Sequence, residues 1–331
     1  ELMPSKCAHE TDSVDGSIPD EAESAQCRRS EQRVRPRYFR WFFWFGLLFV
    51  TLSTFFYFGL NYAAFPGPNW FCDWYESANF TTWNFTFIAE SSDAKLLYGS
   101  ALLMHAGAPC LSPIPVVFFG GNGQGEGGTE MQVADLLWPV LQNDAESCFQ
   151  IYTAQYRGYP PNYGWASQDQ VSADAYDLLR YALRNISISS SRVILAGTSM
   201  GCAVSLQLAN AQPYSIAGIA IHSPYTSFRE VVLGALPPIT YLLFPWKIIM
   251  EDWNNVKEIA SLPSEIPVIV LSSGSDKVIP SWHHSAVFRA CAASQKWFKS
   301  VDGASHTDVG KVAAGSVVEL SAWSNAAKAR V

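Results

Sequence analysis

Charged side chains are scarce in this chain of 331 residues, and their scarcity argues against one broad class of function. Lysine, arginine, aspartate and glutamate together make up 15% of the sequence, and the net charge is −7. Proteins that bind nucleic acids carry a basic patch or an excess of positive charge, because they must neutralise phosphates. The composition therefore gives no support to a nucleic-acid partner. The length suits one large α/β domain with an appendage.

Motifs for metals and nucleotides are also missing. The seven cysteines include no C-x-x-C pair and no Cys/His spacing typical of a zinc site. The glycine-rich stretch at 120–128 lacks the lysine of a P-loop, and it lacks the spacing of a dinucleotide-binding turn. We therefore predict a protein that works without a metal ion or an organic cofactor.

Charge is absent altogether from residues 41–72, and the first part of this interval, residues 41–60, is apolar and aromatic. Twenty residues at 1.5 Å each span a bilayer core of roughly 30 Å. A buried core helix is rarely this long, and a signal peptide rarely has so long a segment ahead of its apolar region. We therefore predict a disordered tail, a transmembrane signal-anchor helix and a linker, at residues 1–37, 38–64 and 65–84.

The charges around the apolar run predict an orientation in the membrane. Six arginines lie between residues 28 and 40, and none follows the run closely. The positive-inside rule then keeps the N-terminus in the cytosol and sends the rest to the lumen or exterior, in the endoplasmic reticulum or another endomembrane. Three glycosylation sequons agree with this orientation, and they begin at Asn79, Asn84 and Asn185.

Five cysteines fall on the predicted lumenal side, where disulfides form. An odd number leaves at least one of them free or paired between chains. We expect small buried side chains with one or two disulfides, drawn from Cys72, Cys110, Cys148, Cys202 and Cys291.

From residue 80 onward, segments of strand character alternate with segments of helical character. Two stretches at 80–88 and 95–105 predict an antiparallel pair of strands that opens the sheet. The later segments predict a mostly parallel sheet with helices on both faces, and we assign it to residues 85–328. We interpret the aromatic, apolar stretch at 224–263 as a short cap over the site. Strands are expected near 115–119, 149–156, 192–196, 216–221, 267–272 and 296–301, and helices near 130–141, 168–184, 202–209, 281–292 and 310–327.

The pentapeptide Gly197-Thr198-Ser199-Met200-Gly201 lies between a strand-like run and a helix-like run. A strand, a sharp turn and a helix around G-x-S-x-G form the context of a nucleophile elbow. Side chains in place of the glycines would collide with the flanking strand and helix. The turn exposes the Ser199 hydroxyl and directs the Met200 N–H towards an oxyanion. The alternative is an ordinary serine at a helix start.

Asp276 and His306 each follow a predicted strand, where the reactive residues of a parallel sheet gather. The order serine, aspartate, histidine is that of α/β hydrolases. His306 would take the Ser199 proton and return it to the leaving group, and Asp276 would fix the imidazole tautomer. A second oxyanion N–H is expected from Asn122 in the glycine-rich loop. Rival residues are Asp302, His222, and the pair His283 and His284, which we expect to be exposed on a helix.

These segments together resemble the α/β-hydrolase-domain proteins, and among them the membrane-anchored BEM46-like group, which is also classified with serine peptidases. The resemblance covers about residues 85–325 and is carried by Phe118–Gly123, Tyr156–Tyr159, the elbow, His222–Ser227, Gly274–Asp276 and His306. It implies a membrane-anchored serine hydrolase acting on acyl esters or thioesters of lipids or lipidated proteins. The group usually has His-Gly-Asn where this chain has Gly120-Gly121-Asn122.

Two other functions stay open beside the hydrolysis of acyl esters or thioesters. The first is a serine peptidase of the same fold, and the second is a catalytically inactive hydrolase fold that acts as a membrane scaffold. For the substrate wall we choose residues next to the elbow and the strand ends, namely Gly121, Tyr156, His222 and Tyr225.

Overall fold

The computed structural model describes residues 80–106, 110–122, 128–164, 166–185, 192–235 and 253–331, together with Trp44, Leu47, Leu48 and Thr51. The chain divides into two units, Glu1–Phe56 and Tyr57–Val331, and the four described residues of the first unit are helical. The predicted tail, most of the predicted transmembrane segment and linker, Cys72 and Asn79 lie outside the described residues. Within the described part of the chain, no helix is both long enough and apolar enough to cross a bilayer.

Eight strands form one sheet in the order β1-β2-β4-β3-β5-β6-β7-β8. The first two strands form an antiparallel hairpin, β2 pairs antiparallel with β4, and all the remaining pairs are parallel. The strands are β1 Phe80–Ala89, β2 Lys95–His105, β3 Ile114–Phe119, β4 Cys148–Ala154, β5 Val193–Thr198, β6 Ile216–His222, β7 Val268–Ser273 and β8 Lys296–Val301.

Helices cover both faces of the sheet, and two clusters of buried apolar side chains mark the two faces. The described helices are α1 Gly128–Asn143, α2 Gln168–Asn185, α3 Met200–Ala211, α4 Phe228–Ala235, α5 Asn255–Ala260, α6 Ser281–Ala290, α7 Val309–Ala314 and α8 Val317–Lys328. The first cluster joins the sheet to α2, α3, α5 and α6, and the second joins it to α1, α7 and α8.

The continuous apolar runs of the sequence form the central strands of the sheet. Every residue of β3, β5, β6 and β7 is buried, as expected for parallel strands with helices on both faces. The edge strand β8 is only partly buried. The predicted mostly parallel sheet with helices on both faces is therefore confirmed.

Two predicted boundaries are wrong. The sheet begins at Phe80, ahead of the predicted domain start at residue 85. The helix predicted over 310–327 is two helices, because the chain turns at Gly315 and Ser316. A Cβ at Gly315 would lie 2.8 Å from a methyl group of Val301, so this turn packs against the sheet where a side chain has no space.

The predicted cap is described at its two ends only. Helix α4 lies at one end and α5 at the other, while residues 236–252 fall outside the described part of the chain. Tyr225, Trp253 and Ile259 from these ends are buried in the first core cluster. The described ends are therefore part of the folded domain.

One disulfide joins Cys110, ahead of β3, to Cys148, the first residue of β4. Both cysteines lie where the parallel strands begin, at the opposite edge of the sheet from the carboxyl ends. Cys202 and Cys291 are free and buried. Among the described cysteines, one bridge and two buried thiols agree with the expected mixture.

Candidate active site

Ser199 occupies a sharp turn between the end of β5 and the start of α3. Its φ is +52° and its ψ is −114°, a conformation that costs a residue with a side chain of order 1–3 kcal/mol. The Ser199 N–H donates to the carbonyl of His222 at 2.9 Å, which ties the turn to the neighbouring strand β6. The predicted strand, turn and helix are all present.

The two glycines of the elbow lie where backbone segments meet. A Cβ at Gly201 would lie 1.9 Å from the carbonyl oxygen of Phe119, and one at Gly197 would lie 2.4 Å from that of Gly201. Cβ atoms do not approach backbone this closely, and backbone moves less readily than the end of a side chain. The turn that holds Ser199 therefore requires glycine at both positions.

His306 bridges Ser199 and Asp276. Its Nε2 lies 3.1 Å from the Ser199 Oγ, and its Nδ1 lies 2.6 Å from the Asp276 Oδ2. Both distances are those of hydrogen bonds. Three residues from separate loops at the carboxyl ends of β5, β7 and β8 thus meet at one edge of the sheet.

The carboxylate of Asp276 is fully buried and fully bonded. Its Oδ1 accepts the N–H groups of Val278 and Ile279, each at 2.8 Å, while its Oδ2 accepts from His306. Burial opposes ionisation of Asp276, but these hydrogen bonds outweigh it and hold the pKa of the carboxyl below its ordinary value. The rival acid Asp302 is exposed, and the structure puts Asp276 rather than Asp302 against His306.

The rival histidines are buried, and for His283 and His284 this contradicts the expected exposure. The exposed fractions of His283, His284 and His222 are 3%, 0% and 1%. Burial lowers the pKa of His222 to about 3 and that of His284 to about 4, so both rings are neutral near pH 7. Helical periodicity alone did not identify which face of α6 packs against the sheet.

The predicted oxyanion donors lie on the two segments expected to carry them. Met200 opens α3, and Asn122 follows β3 in the loop that leads to α1. A Cβ at Gly121 would lie 3.5 Å from the Ser199 Cβ, so this loop runs beside the elbow. The Asn122 side chain accepts a hydrogen bond from the Tyr159 hydroxyl.

Gln132 on α1 is a site residue that the sequence did not indicate. Its Oε1 accepts the Thr198 hydroxyl at 2.7 Å and the Gly121 N–H at 3.4 Å. One amide therefore connects the strand that carries the nucleophile to the loop that carries Asn122. A lone glutamine inside a helix gives no sequence signal for this role.

Three of the predicted substrate-wall residues are buried. The Tyr156 hydroxyl donates to the Gly120 carbonyl at 2.8 Å, and the His222 Nε2 lies 2.9 Å from the Ser273 Oγ. Tyr225 is 3% exposed. Gly121 is buried too and lies beside Ser199. That these four residues contact a substrate stays a prediction.

A buried ion pair fixes the loop that carries Tyr156 and Tyr159. Arg157 is 2% exposed, and its guanidinium donates to both carboxylate oxygens of Asp174 at 2.5 and 2.8 Å. It also donates to Asp93 in the turn of the β1–β2 hairpin at 2.8 Å. A bidentate pair of this kind holds its geometry well, so the loop keeps Tyr159 against Asn122.

The arrangement contains the groups that acyl transfer needs: a hydroxyl, an imidazole within reach of it, a buried carboxylate and N–H groups at a helix start. In the described part of the chain, no group of three His, Cys, Asp or Glu side chains is arranged to hold a metal ion.

Relatives of this chain include Protein bem46 from Schizosaccharomyces pombe, 22% identical over 214 residues, or 65% of this chain and 68% of that protein. An uncharacterized protein of Mycobacterium tuberculosis is 31% identical over 46% of this chain and 51% of its own length. The alpha/beta hydrolase domain-containing protein WAV2 of Arabidopsis thaliana is 24% identical over 43% and 49%. The matches to the last two span about half of each relative. No family model matches the chain.

Solved structures share the fold at low sequence identity. An esterase of Pyrococcus furiosus has a TM-score of 0.57 and 12% identity, over 78% of this chain and 96% of its own. An alpha-beta hydrolase of Vibrio vulnificus has a TM-score of 0.55 and 15% identity, over 73% and 81%. These likenesses confirm the α/β-hydrolase fold.

Proposed function

Because the chain is a BEM46-like α/β-hydrolase protein, we propose that it is a serine hydrolase that cleaves acyl ester or thioester bonds. The observation that carries this proposal is the position of His306, within hydrogen-bonding distance of both Ser199 and Asp276. The substrate that we propose is a lipid or a lipidated protein.

In the first half of the reaction, the Ser199 Oγ attacks the carbonyl carbon of the substrate and its proton moves to His306 Nε2. Asp276 stabilises the imidazolium that forms. The carbonyl oxygen becomes an oxyanion, which the N–H groups of Met200 and Asn122 stabilise. The C–O or C–S bond then breaks, and His306 gives the proton to the departing alcohol or thiol.

In the second half, a water molecule replaces the departed alcohol or thiol. His306 takes a proton from this water, and the water oxygen attacks the acyl carbon of the acyl-enzyme. The bond to Ser199 breaks, the serine oxygen regains the proton from His306, and a carboxylic acid leaves. The enzyme returns to its starting state.

Apolar surface beside the acid supports an apolar substrate. Val278, two residues beyond Asp276, is 61% exposed, and Trp282 at the start of α6 is 55% exposed. The apolar run at 41–60 and the apolar stretch at 224–263 support the same proposal from the sequence. Large exposed apolar groups next to a site favour binding of apolar ligands.

A fluorophosphonate probe tests the nucleophile, because it reacts covalently with activated serines. We expect the wild type to be labelled and Ser199→Ala to remain unlabelled, while Ser264→Ala, a change at an exposed serine, keeps full labelling. Equal labelling of Ser199→Ala and the wild type would rule out Ser199. A parallel assay on p-nitrophenyl esters, acyl thioesters and aminoacyl amides would identify a peptidase by turnover of the amides alone.

We also propose that residues 80–331 lie in an oxidising lumenal or extracellular compartment. The disulfide between Cys110 and Cys148 supports this, since such bonds persist there. So does the Asn84 sequon, whose asparagine is exposed on the edge strand β1. Asn185 is a second exposed candidate, at the end of α2.

A pair of variants tests this orientation at Asn84 in cells that glycosylate. We expect an endoglycosidase-sensitive mass on the wild type, its loss from Asn84 in Thr86→Ala, and its retention in Thr86→Ser, which preserves the sequon. Peptide mapping assigns the glycan to its site. An unmodified Asn84 in correctly folded membrane protein would contradict the proposed orientation.

A further inference from the structure

A second imidazole faces the carboxylate of Asp276. His284 lies on α6, is 0% exposed, and has its Nε2 3.8 Å from the Asp276 Oδ2, the oxygen that His306 also contacts. This Nε2 is buried without a hydrogen-bond partner among the described residues. A buried nitrogen without a partner is costly, so its position beside the acid calls for an explanation.

The contacts of its two ring nitrogens bear on where the proton of His284 lies. The Ser300 hydroxyl donates to the Ser272 Oγ at 3.3 Å, and the Ser272 Oγ lies 2.8 Å from the His284 Nδ1. The Ser272 hydroxyl can either donate to Nδ1 or accept from it, so these contacts fit both neutral tautomers. An unprotonated Nε2, however, would direct its lone pair at the Asp276 carboxylate 3.8 Å away, which is unfavourable. The neutral ring therefore carries its proton on Nε2, directed at Asp276.

The groups around His284 have opposing effects on its pKa, and burial decides that the ring is neutral near pH 7. Burial is the largest effect and lowers its pKa to about 4. His306 and His283 add to the lowering, while Asp276 and the Ile279 backbone act in the opposite direction. His222, at the end of β6, is the fourth imidazole of this group, and burial keeps it neutral too. His284 thus acts on Asp276 as an N–H dipole and not as a second cation.

We propose that His284 is a positioning residue that limits how strongly Asp276 stabilises the charged form of His306. The inference rests on the proposed function of the Ser199 site. The Asp276 Oδ1 already accepts two backbone N–H groups, so the Oδ2 carries the charge that His306 meets. The Nε2–H of His284 draws part of that charge to itself.

Two substitutions at one position separate this role from packing. His284→Asn keeps an acceptor for Ser272 but has no atom at the Nε2 position, whereas His284→Gln keeps an N–H near that position and gives up the Ser272 contact. His283→Asn is the matched control, since His283 is the neighbouring buried histidine and bonds to Thr226 instead.

The readout is the acid limb of the rate profile, where the activity of a hydrolase of this kind falls as its general base gains a proton. We expect His284→Asn to shift its midpoint to higher pH by about half a unit, since the uncompensated carboxylate favours the imidazolium. Activity near pH 6 then falls about threefold relative to the alkaline plateau. His284→Gln and His283→Asn keep the wild-type midpoint. A wild-type midpoint in His284→Asn, or equal shifts in both His284 variants, would overturn the proposal.

Proton NMR distinguishes failure of this proposal from failure of the proposed function. The proton that His306 shares with Asp276 resonates far downfield, and it is visible whether or not the protein turns over a substrate. We expect this resonance to move in His284→Asn and not in His284→Gln. An unmoved resonance would contradict the role of His284 alone, whereas absence of probe labelling from wild-type protein with the expected resonance would contradict the proposed hydrolase alone.

Discussion

At the scale of single residues, the site depends on groups whose protonation the fold controls. Asp276 remains ionised because hydrogen bonds outweigh its burial, while His222 and His284 remain neutral because burial dominates. His306, whose side chain is 17% exposed, sits between the buried carboxylate and the Ser199 hydroxyl. His306 is therefore the histidine that joins the Asp276 carboxylate to the Ser199 hydroxyl.

The role of Asp276 predicts a large loss of turnover in Asp276→Asn. The amide holds the imidazole in the wrong tautomer, so we expect kcat to fall by roughly 10⁴-fold with little change in KM. Asp302→Asn, a change at the exposed rival acid, should keep wild-type kinetics. Steady-state assays on an activated ester compare the two, and equal losses in both variants would contradict the assignment of Asp276.

Burial of neutral histidines predicts that stability falls on mild acidification. The folded pKa values of about 3 for His222 and about 4 for His284 lie below the unfolded value of 6.5. Their stabilising effect is therefore complete above pH 6.5 and declines as the pH falls towards the folded values, by up to about 1.4 kcal/mol per pH unit for each ring.

Urea unfolding between pH 4.5 and pH 7.5 measures this decline. In His222→Asn we expect the slope of unfolding free energy against pH to decrease, whatever the stability at pH 7.5. The same change at the half-buried His105 is the control for removal of a histidine. An unchanged slope in His222→Asn would show that His222 is not the titrating group.

At the scale of elements, the elbow depends on close contact between β5, α3 and the end of β3. Glycine permits this contact, and the positive φ of Ser199 is held by the hydrogen bond from its N–H to His222. Gln132 reaches across from α1 to both the strand and the loop. The position of Ser199 therefore depends on how β5, α3 and the end of β3 pack together, and not on the sequence of the turn alone.

Gly201→Ala should disrupt this packing. The added Cβ would lie 1.9 Å from backbone, so we expect a loss of several kcal/mol in unfolding free energy or failure to fold. Gly234→Ala on α4 is the matched control, because its Cβ would meet nothing within 4 Å. Alanine has the higher helix propensity, so this control should gain about 0.5–1 kcal/mol. Thermal denaturation distinguishes the two, and similar stability of both variants would contradict the packing argument.

At the scale of the whole domain, one disulfide fastens the end of the sheet opposite the site. It closes a loop with a sequence separation of 38 residues between Cys110 and Cys148. A cross-link of this length restricts the unfolded chain, and typical bridges stabilise folded proteins by about 2–4 kcal/mol. The bridge lies far along the strands from Ser199, so its effect is on stability.

Replacing both cysteines by serine should lower the unfolding free energy by about 2–4 kcal/mol. Guanidinium unfolding with and without a reductant measures this change. Reductant should destabilise the wild type to the same extent and leave the double variant unchanged. Stability of the wild type that is insensitive to complete reduction would contradict the stabilising role of the bridge.

The sequence by itself determined the order of elements, the central buried strands and the segments that hold Ser199, Asp276 and His306. These follow from local patterns: apolar runs, the glycines of the elbow, and polar residues directly after strands. The tertiary structure alone decided that His283 and His284 are buried, that Tyr156 bonds to the Gly120 carbonyl, and that Gln132 and His284 lie against the site. The physical reason is that burial, and with it the protonation state of a side chain, depends on which elements pack together, and contacts between distant segments leave no periodic trace in the chain.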